Sequence, residues 1–134
     1  MKVNIIGPYP PPYGGISVHI KRMKKYLRSK GVDVEVYEDN KKAFLKAPLL
    51  KGEIIHFHSI GKKKRILMGF LAMFHKKIIL TIHGESLHDQ LEQSSLFIKR
   101  LLLFSLKKIN KIICINPKTL KELISYGIAA SNLA

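Results

Sequence analysis

Val3-Asn4-Ile5-Ile6-Gly7-Pro8-Tyr9-Pro10-Pro11-Pro12-Tyr13-Gly14-Gly15-Ile16-Ser17-Val18-His19-Ile20 is the stretch whose reading decides the fold. A short apolar run rich in β-branched residues, Val3 to Ile6, breaks at a glycine and a chain of prolines. Apolar residues then recur at helical spacing, at Ile16, Ile20, Met23 and Leu27, with Lys21, Lys24, Lys25 and Arg28 on the other faces. A buried strand that leaves through a stiff loop into an amphipathic helix opens a strand-helix unit of the kind that builds parallel sheets. Gly31 stands where the cap of that helix is expected.

The same alternation continues along the chain. Val32, Val34 and Val36 alternate with Asp33 and Glu35, which predicts a second strand with one less-buried face, toward an edge. The polar stretch from Glu38 to Lys42 ends it, and residues 43–52 read as either loop or short helix. Ile54 to His58 is a third strand of the buried kind, Lys62 to Phe74 a helix, and Ile78 to Ile82 a fourth strand. A long helix, apolar on most faces, is expected from about Gln90 to Ile109, and a fifth strand from Lys111 to Ile115. Asn116-Pro117 then supplies a capping side chain followed by proline at the first helical position, and Gly127 closes that helix. Five strands and four intervening or terminal helices predict an α/β class. The expected form is a doubly wound, mainly parallel sheet with helices on both faces and right-handed crossovers. Residues 1–134 read as one domain, without an internal repeat or linker.

Composition sets the outer limits. Hydrophobic residues make up 46% of the chain and charged residues 25%, a globular balance that excludes a disordered or collagenous chain. The single cysteine, Cys114, lies in an apolar run and forms no internal disulfide, so nothing requires an oxidising compartment. A cytoplasmic address is the simplest expectation. The longest relevant apolar run, Ile66 to Phe74, is nine residues, far short of a membrane span, and the N-terminal run is too short for a signal peptide. The net charge of +15 implies long-range attraction to a polyanion. Nucleic acid is not the expected partner, because neither a recognised motif nor basic residues interleaved with aromatics is present. An anionic membrane surface fits better: Lys62-Lys63-Lys64-Arg65 and the apolar stretch Leu96 to Leu106 offer a candidate membrane-facing side. The competing reading packs both segments against the sheet.

In an open parallel sheet, ligands bind beyond the carboxyl ends of the strands, so the residues directly after each strand are the candidates. After the first, Gly14 and Gly15 open a helix whose free amides favour an anion. Each such dipole interaction is worth about 0.3–1 kcal/mol when exposed, which suits a phosphate or diphosphate. The plainer reading is a tight turn. The spacing is neither the three-glycine dinucleotide fingerprint nor a phosphate loop with its lysine. After the third strand, His56 and His58 share one side by strand period, His58 nearer the end to line a cleft and His56 in the core. No cysteine or carboxylate nearby in sequence completes a ligand set, so no metal is expected. After the fourth strand stands His83-Gly84-Glu85, where an imidazole at the sheet mouth can hydrogen-bond a hydroxyl or shuttle a proton. It can equally tie down its own loop. Glu85 reads as its partner or as solvated, and His88 as a surface residue.

Taken together these pieces resemble the N-terminal domain of family-four retaining glycosyltransferases, of GT-B architecture, in which two Rossmann-like domains face each other across a cleft. The resemblance covers nearly the whole chain. It rests on Pro12-Tyr13-Gly14-Gly15-Ile16-Ser17-Val18-His19, Ile54-Ile55-His56-Phe57-His58, Leu80-Thr81-Ile82-His83-Gly84 and Ile112-Ile113-Cys114-Ile115-Asn116, in that order. It implies that Gly14 and Gly15 approach the donor phosphates and that His83 lies by the transferred sugar as the catalytic histidine. Tyr13, His19, His58 and Glu85 would line the acceptor side of the cleft. It further implies a nucleotide-sugar donor, a saccharide or lipid-linked saccharide acceptor, and no metal or other cofactor; the cytoplasmic location, peripheral at the inner face of the membrane, is expected from the single cysteine and the basic and apolar runs instead. Most donor contacts in that family, including a spaced pair of glutamates, come from a C-terminal Rossmann domain. The nearest spacing here, Glu85 and Glu92, falls in the wrong region. The expectation is therefore a truncated, acceptor-side half that is inactive by itself. Two rivals follow from the residues alone: a non-catalytic basic module that binds anionic lipid or another polyanion, and a nucleotide-binding domain of unrelated chemistry.

Overall fold

A computed structural model describes residues 1–58, 61–74, 77–84 and 86–134. Strand β1 (Lys2–Ile6) leads through the proline loop to helix α1 (Gly15–Ser29), then to strand β2 (Asp33–Tyr37). Helix α2 (Lys41–Lys46) runs on into a 3-10 turn (Ala47–Leu49) before strand β3 (Ile54–Phe57), helix α3 (Lys62–Phe74) and strand β4 (Lys77–Ile82). Helices α4 (Ser86–Glu92) and α5 (Leu96–Lys108) precede strand β5 (Lys111–Cys114), helix α6 (Pro117–Ser125) and a final 3-10 turn (Ala130–Asn132). The five strands form one all-parallel sheet in the order β2-β1-β3-β4-β5. The expected α/β architecture is present, and β2 occupies an edge as its alternating pattern predicts.

Register divides the side chains between two faces. Val3 lies beside Val34 and Ile54, and Ile5 beside Val36 and His56, so alternate residues of the three strands share a face. That face is covered by the apolar stripe of α1, with Ile20 fully buried and Ile16, Met23 and Leu27 around it. On the opposite face Ile6, Ile55, Phe57, Ile78, Leu80, Ile82 and Ile112 form the larger core with Met68 of α3, Leu102 and Leu106 of α5, and Leu123 of α6. Helices therefore cover both faces.

Strand ends agree with the sequence reading to within one residue, and two helical regions differ by more. The single helix expected over Gln90 to Ile109 is two helices, because Ser94 and Ser95 draw the backbone out of helical register. Ser94 Oγ donates to the Gln90 carbonyl, and Ser95 Oγ accepts from Ile98 N–H to start α5. The ambiguous stretch after β2 begins as helix already at Lys41, capped by the Asn40 side chain accepting from Ala43 N–H at 2.8 Å. Among the described residues no helix is long and apolar enough to cross a membrane.

Helices α3 and α5 pack most closely at Gly69, where an added Cβ would stand 2.5 Å from the Ser105 backbone. No low-cost adjustment relieves a clash with backbone, so Gly69→Ala forces the helices apart. Its expected cost is about 1–3 kcal/mol, read as a lowered urea unfolding midpoint.

Candidate functional site

The chain winds from β1 to β2 on one side and returns past β1 to reach β3, so the winding reverses between β1 and β3. A crevice opens beyond the carboxyl ends of those two strands. Gly7 makes it narrow. A Cβ there would lie 2.6 Å from Ile20 Cδ1 and 2.9 Å from His58 Cβ, so only glycine lets α1 and the end of β3 close over the exit of β1. Gly7 N–H donates to the Tyr37 carbonyl and His58 N–H to the Ile6 carbonyl, carrying the strand pairing to the lip of the crevice.

The first turn of α1 is presented without a capping side chain. Gly14 is extended, at φ −147° and ψ 170°, and its N–H donates to Ser17 Oγ at 2.8 Å. Ser17 is buried and in turn reaches the Pro12 and Gly14 carbonyls, which fixes the loop to the helix. Neither Gly14 nor Gly15 uses a positive φ, so their value lies in having no side chain. A Cβ on Gly15 would meet nothing within 4 Å, so its approach is open. Gly14 and Gly15 share a groove of about 490 Å³ with Tyr13, His19 and Arg22. Tyr13 is exposed, with Lys21 Nζ 5.4 Å from its ring centre.

Four imidazoles meet at the crevice. His58 Nδ1 lies 2.9 Å from His83 Nε2, and the His19 ring is 5.6 Å from that of His58 and 5.5 Å from that of His83. His56 stacks 4.4 Å from His58 and bonds Thr81 Oγ1 at 2.7 Å, the satisfied core histidine expected of it. His83 is half-buried and His19 exposed, whereas His58 is only 1% exposed, so His58 backs the cleft instead of lining it. Gly84 takes φ +64°, the sharp exit its position suggests, and Thr119 Oγ1 donates to its carbonyl from α6. Glu85 lies outside the described residues. His88 is exposed and pairs with Glu122 at 2.9 Å.

Burial favours the neutral form of His56, His58 and His83. It pushes His58 down to about 2 and His56 down to about 4, with the neighbouring imidazoles adding to both. His83 is lowered too, first by burial, then by His19 and by the Arg65 guanidinium. The hydrogen between His58 and His83 is then assigned by bookkeeping of donors. His58 Nε2 is buried with no partner among the described residues, so placing its hydrogen there would strand a donor. The hydrogen belongs on His58 Nδ1, donating to His83 Nε2, which puts the His83 hydrogen on Nδ1.

Arg65 was legible only as part of a basic surface run, and the structure corrects that placement. It is fully buried, its Nη1 donating to Gln90 Oε1 at 2.9 Å, with burial pushing its guanidinium down to about 10. The clue was spacing: Arg65, Met68 and Gly69 lie on the inward stripe of α3. Of the same run, Lys62 bonds Ser94 and Lys64 pairs with Asp39, which leaves Lys63 exposed. Among the described residues no group of three or more His, Cys, Asp or Glu side chains has the geometry to hold a metal. Two larger grooves, each about 580 Å³, lie apart from His83, one around His88 and Glu122 and one along the basic flank of α1.

Comparison of the sequence with models of known protein families finds no match, and comparison with curated proteins finds none either. The fold and the crevice thus define a class, a Rossmann-like α/β unit whose carboxyl edge carries a helix start and a cluster of imidazoles.

The neutral histidines set a pH dependence. His56 and His58 take up protons near pH 6.5 when unfolded but stay neutral when folded, so the unfolded state binds more protons as pH falls. Stability is therefore full above about 6.5 and is lost as pH drops toward about 4, at up to about 1.4 kcal/mol per pH unit for each group. Urea unfolding from neutral pH downward should show this slope, and His56→Gln should reduce it by about half.

Proposed function

We propose that the chain is the acceptor-side, N-terminal Rossmann-like half of a retaining glycosyltransferase. It would act with a second Rossmann-like unit to move a sugar from a nucleotide-sugar donor to a hydroxyl of a saccharide or lipid-linked saccharide. The observation that carries the reading is convergence. The uncapped start of α1 at Gly14 and Gly15 and the half-buried His83 open on one carboxyl edge of the sheet, with the His19 ring 5.5 Å from that of His83.

Each part suits one portion of such a substrate. When the bond from the anomeric carbon to the diphosphate breaks, its electron pair passes to a phosphate oxygen. A helix start with no acidic residue in its first turn stabilises that charge. Gly15 lets the phosphate approach the amides without meeting a Cβ. The acceptor oxygen bonds to the anomeric carbon and passes its proton to the departing phosphate oxygen, which has just gained the electron pair. His83, held neutral and oriented by His58, contributes hydrogen bonding beside the sugar instead of a second positive charge. Exposed Tyr13 offers an aromatic face at the mouth of the same groove.

Gly15→Ala separates this reading from a simple turn. The added methyl meets nothing in the fold and suits a helix, so stability should hold or rise by about 0.5–1 kcal/mol. Binding of inorganic diphosphate, followed by amide shifts of Gly14 to Ser17, should weaken about tenfold, the scale of one charge-assisted hydrogen bond. Unchanged affinity, or no shift of those amides in the parent chain, would falsify the phosphate role. The purified chain alone should release no nucleotide from a panel of nucleotide sugars.

A further inference from the structure

Helices α3 and α5 together contain 26 residues and not one aspartate or glutamate, against eight lysines and arginines and four phenylalanines. Their inward faces are accounted for by Met68, Gly69, Leu102, Ser105 and Leu106, all buried. Their outward faces are not. On α3, Lys63, Leu67, Phe70 and Phe74 fall at i, i+4, i+7 and i+11, which is one stripe, and all four are exposed. On α5, Phe97, Arg100, Phe104 and Lys108 make a matching exposed stripe, with Lys108 Nζ 5.2 Å from the centre of the Phe104 ring. Because the helices lie side by side at Gly69 and Ser105, the two stripes turn away from the core together. Phe74 is 74% exposed and Phe97 73%, a cost in water that an isolated surface residue rarely carries twice on one face.

We propose that this face docks the protein on an anionic phospholipid bilayer, the phenylalanines entering the headgroup boundary while Lys63, Arg100 and Lys108 meet lipid phosphates. Charge decides among the possible occupants. A second copy of this chain would bring the same carboxylate-free face and its lysines into contact with themselves, whereas an anionic leaflet is complementary to every charge on it. Exposed aromatics beside lysines and arginines, on helices too short to span, are the composition of an interfacial helix surface. This inference stands independently of the glycosyltransferase reading.

The test is sedimentation of the chain with vesicles of phosphatidylcholine alone, and of phosphatidylcholine mixed with phosphatidylglycerol, at low and high salt. The chain should pellet with the anionic vesicles only, and less at high salt. Arg100→Ser and Lys108→Ser should each weaken partitioning about fivefold. Phe97→Ser with Phe104→Ser should abolish pelleting without lowering the unfolding midpoint, since both side chains are exposed. Replacing Lys24 and Lys25, which lie on α1 across the sheet, should change partitioning by no more than about twofold. The idea is overturned if the chain stays in the supernatant, pellets equally with neutral vesicles, or keeps wild-type binding in any of these α5 variants. A dimer in sedimentation velocity that the phenylalanine substitutions dissolve overturns it in favour of a second copy.

Discussion

Everything in this molecule is arranged around β1, which pairs with β2 on one side and β3 on the other. That placement makes β1 an interior strand, fixes the reversal of winding beside it, and so decides where a crevice opens. The close approach at its exit depends on an absence: with any side chain on Gly7, Ile20 of α1 and His58 after β3 would have to move apart. The start of α1 and the imidazole pair would then lose their common wall. A position with no chemistry of its own therefore controls the geometry of residues that have it.

Much of the architecture was legible because the physical signals were local. Strands β1, β3, β4 and β5 are short apolar runs bounded by glycine, proline or charge, and Asn116-Pro117 marks the start of α6 by capping and by fixed φ together. The break between α4 and α5 was not visible in the pattern, since the apolar spacing runs across it. Only side-chain competition from Ser94 and Ser95 interrupts the helix, and that competition looks the same in sequence whether it wins or loses.

The candidate site was legible in its parts and not in its wiring. Strand-end position picks out Gly14, Gly15, His58 and His83, but it cannot say that His58 is buried and bonded to His83, a pairing across twenty-five residues. Arg65 was hidden differently. Three lysines precede it, so the run reads as a solvated patch, yet only two residues, about half a helical turn, separate the exposed Lys63 from an arginine wholly inside. Charge runs describe composition, while helical phase decides which member of the run faces the core.

The distribution of charge gives the imidazole cluster its meaning. A chain of net charge +15 has no shortage of cations with which to attract an anion, and Lys21, Arg22, Lys24, Lys25 and Arg28 line the flank of α1. Had His83 been protonated as well, it would add repulsion to its neighbours and bind a phosphate with little regard to orientation. Burial and the nearby Arg65 instead hold it neutral, and a neutral imidazole contributes directional hydrogen bonds, not long-range attraction. Attraction and orientation would then be handled by different groups. Under the proposed reading, amides and lysines meet the charged portion of a substrate, and the imidazoles meet its hydroxyls.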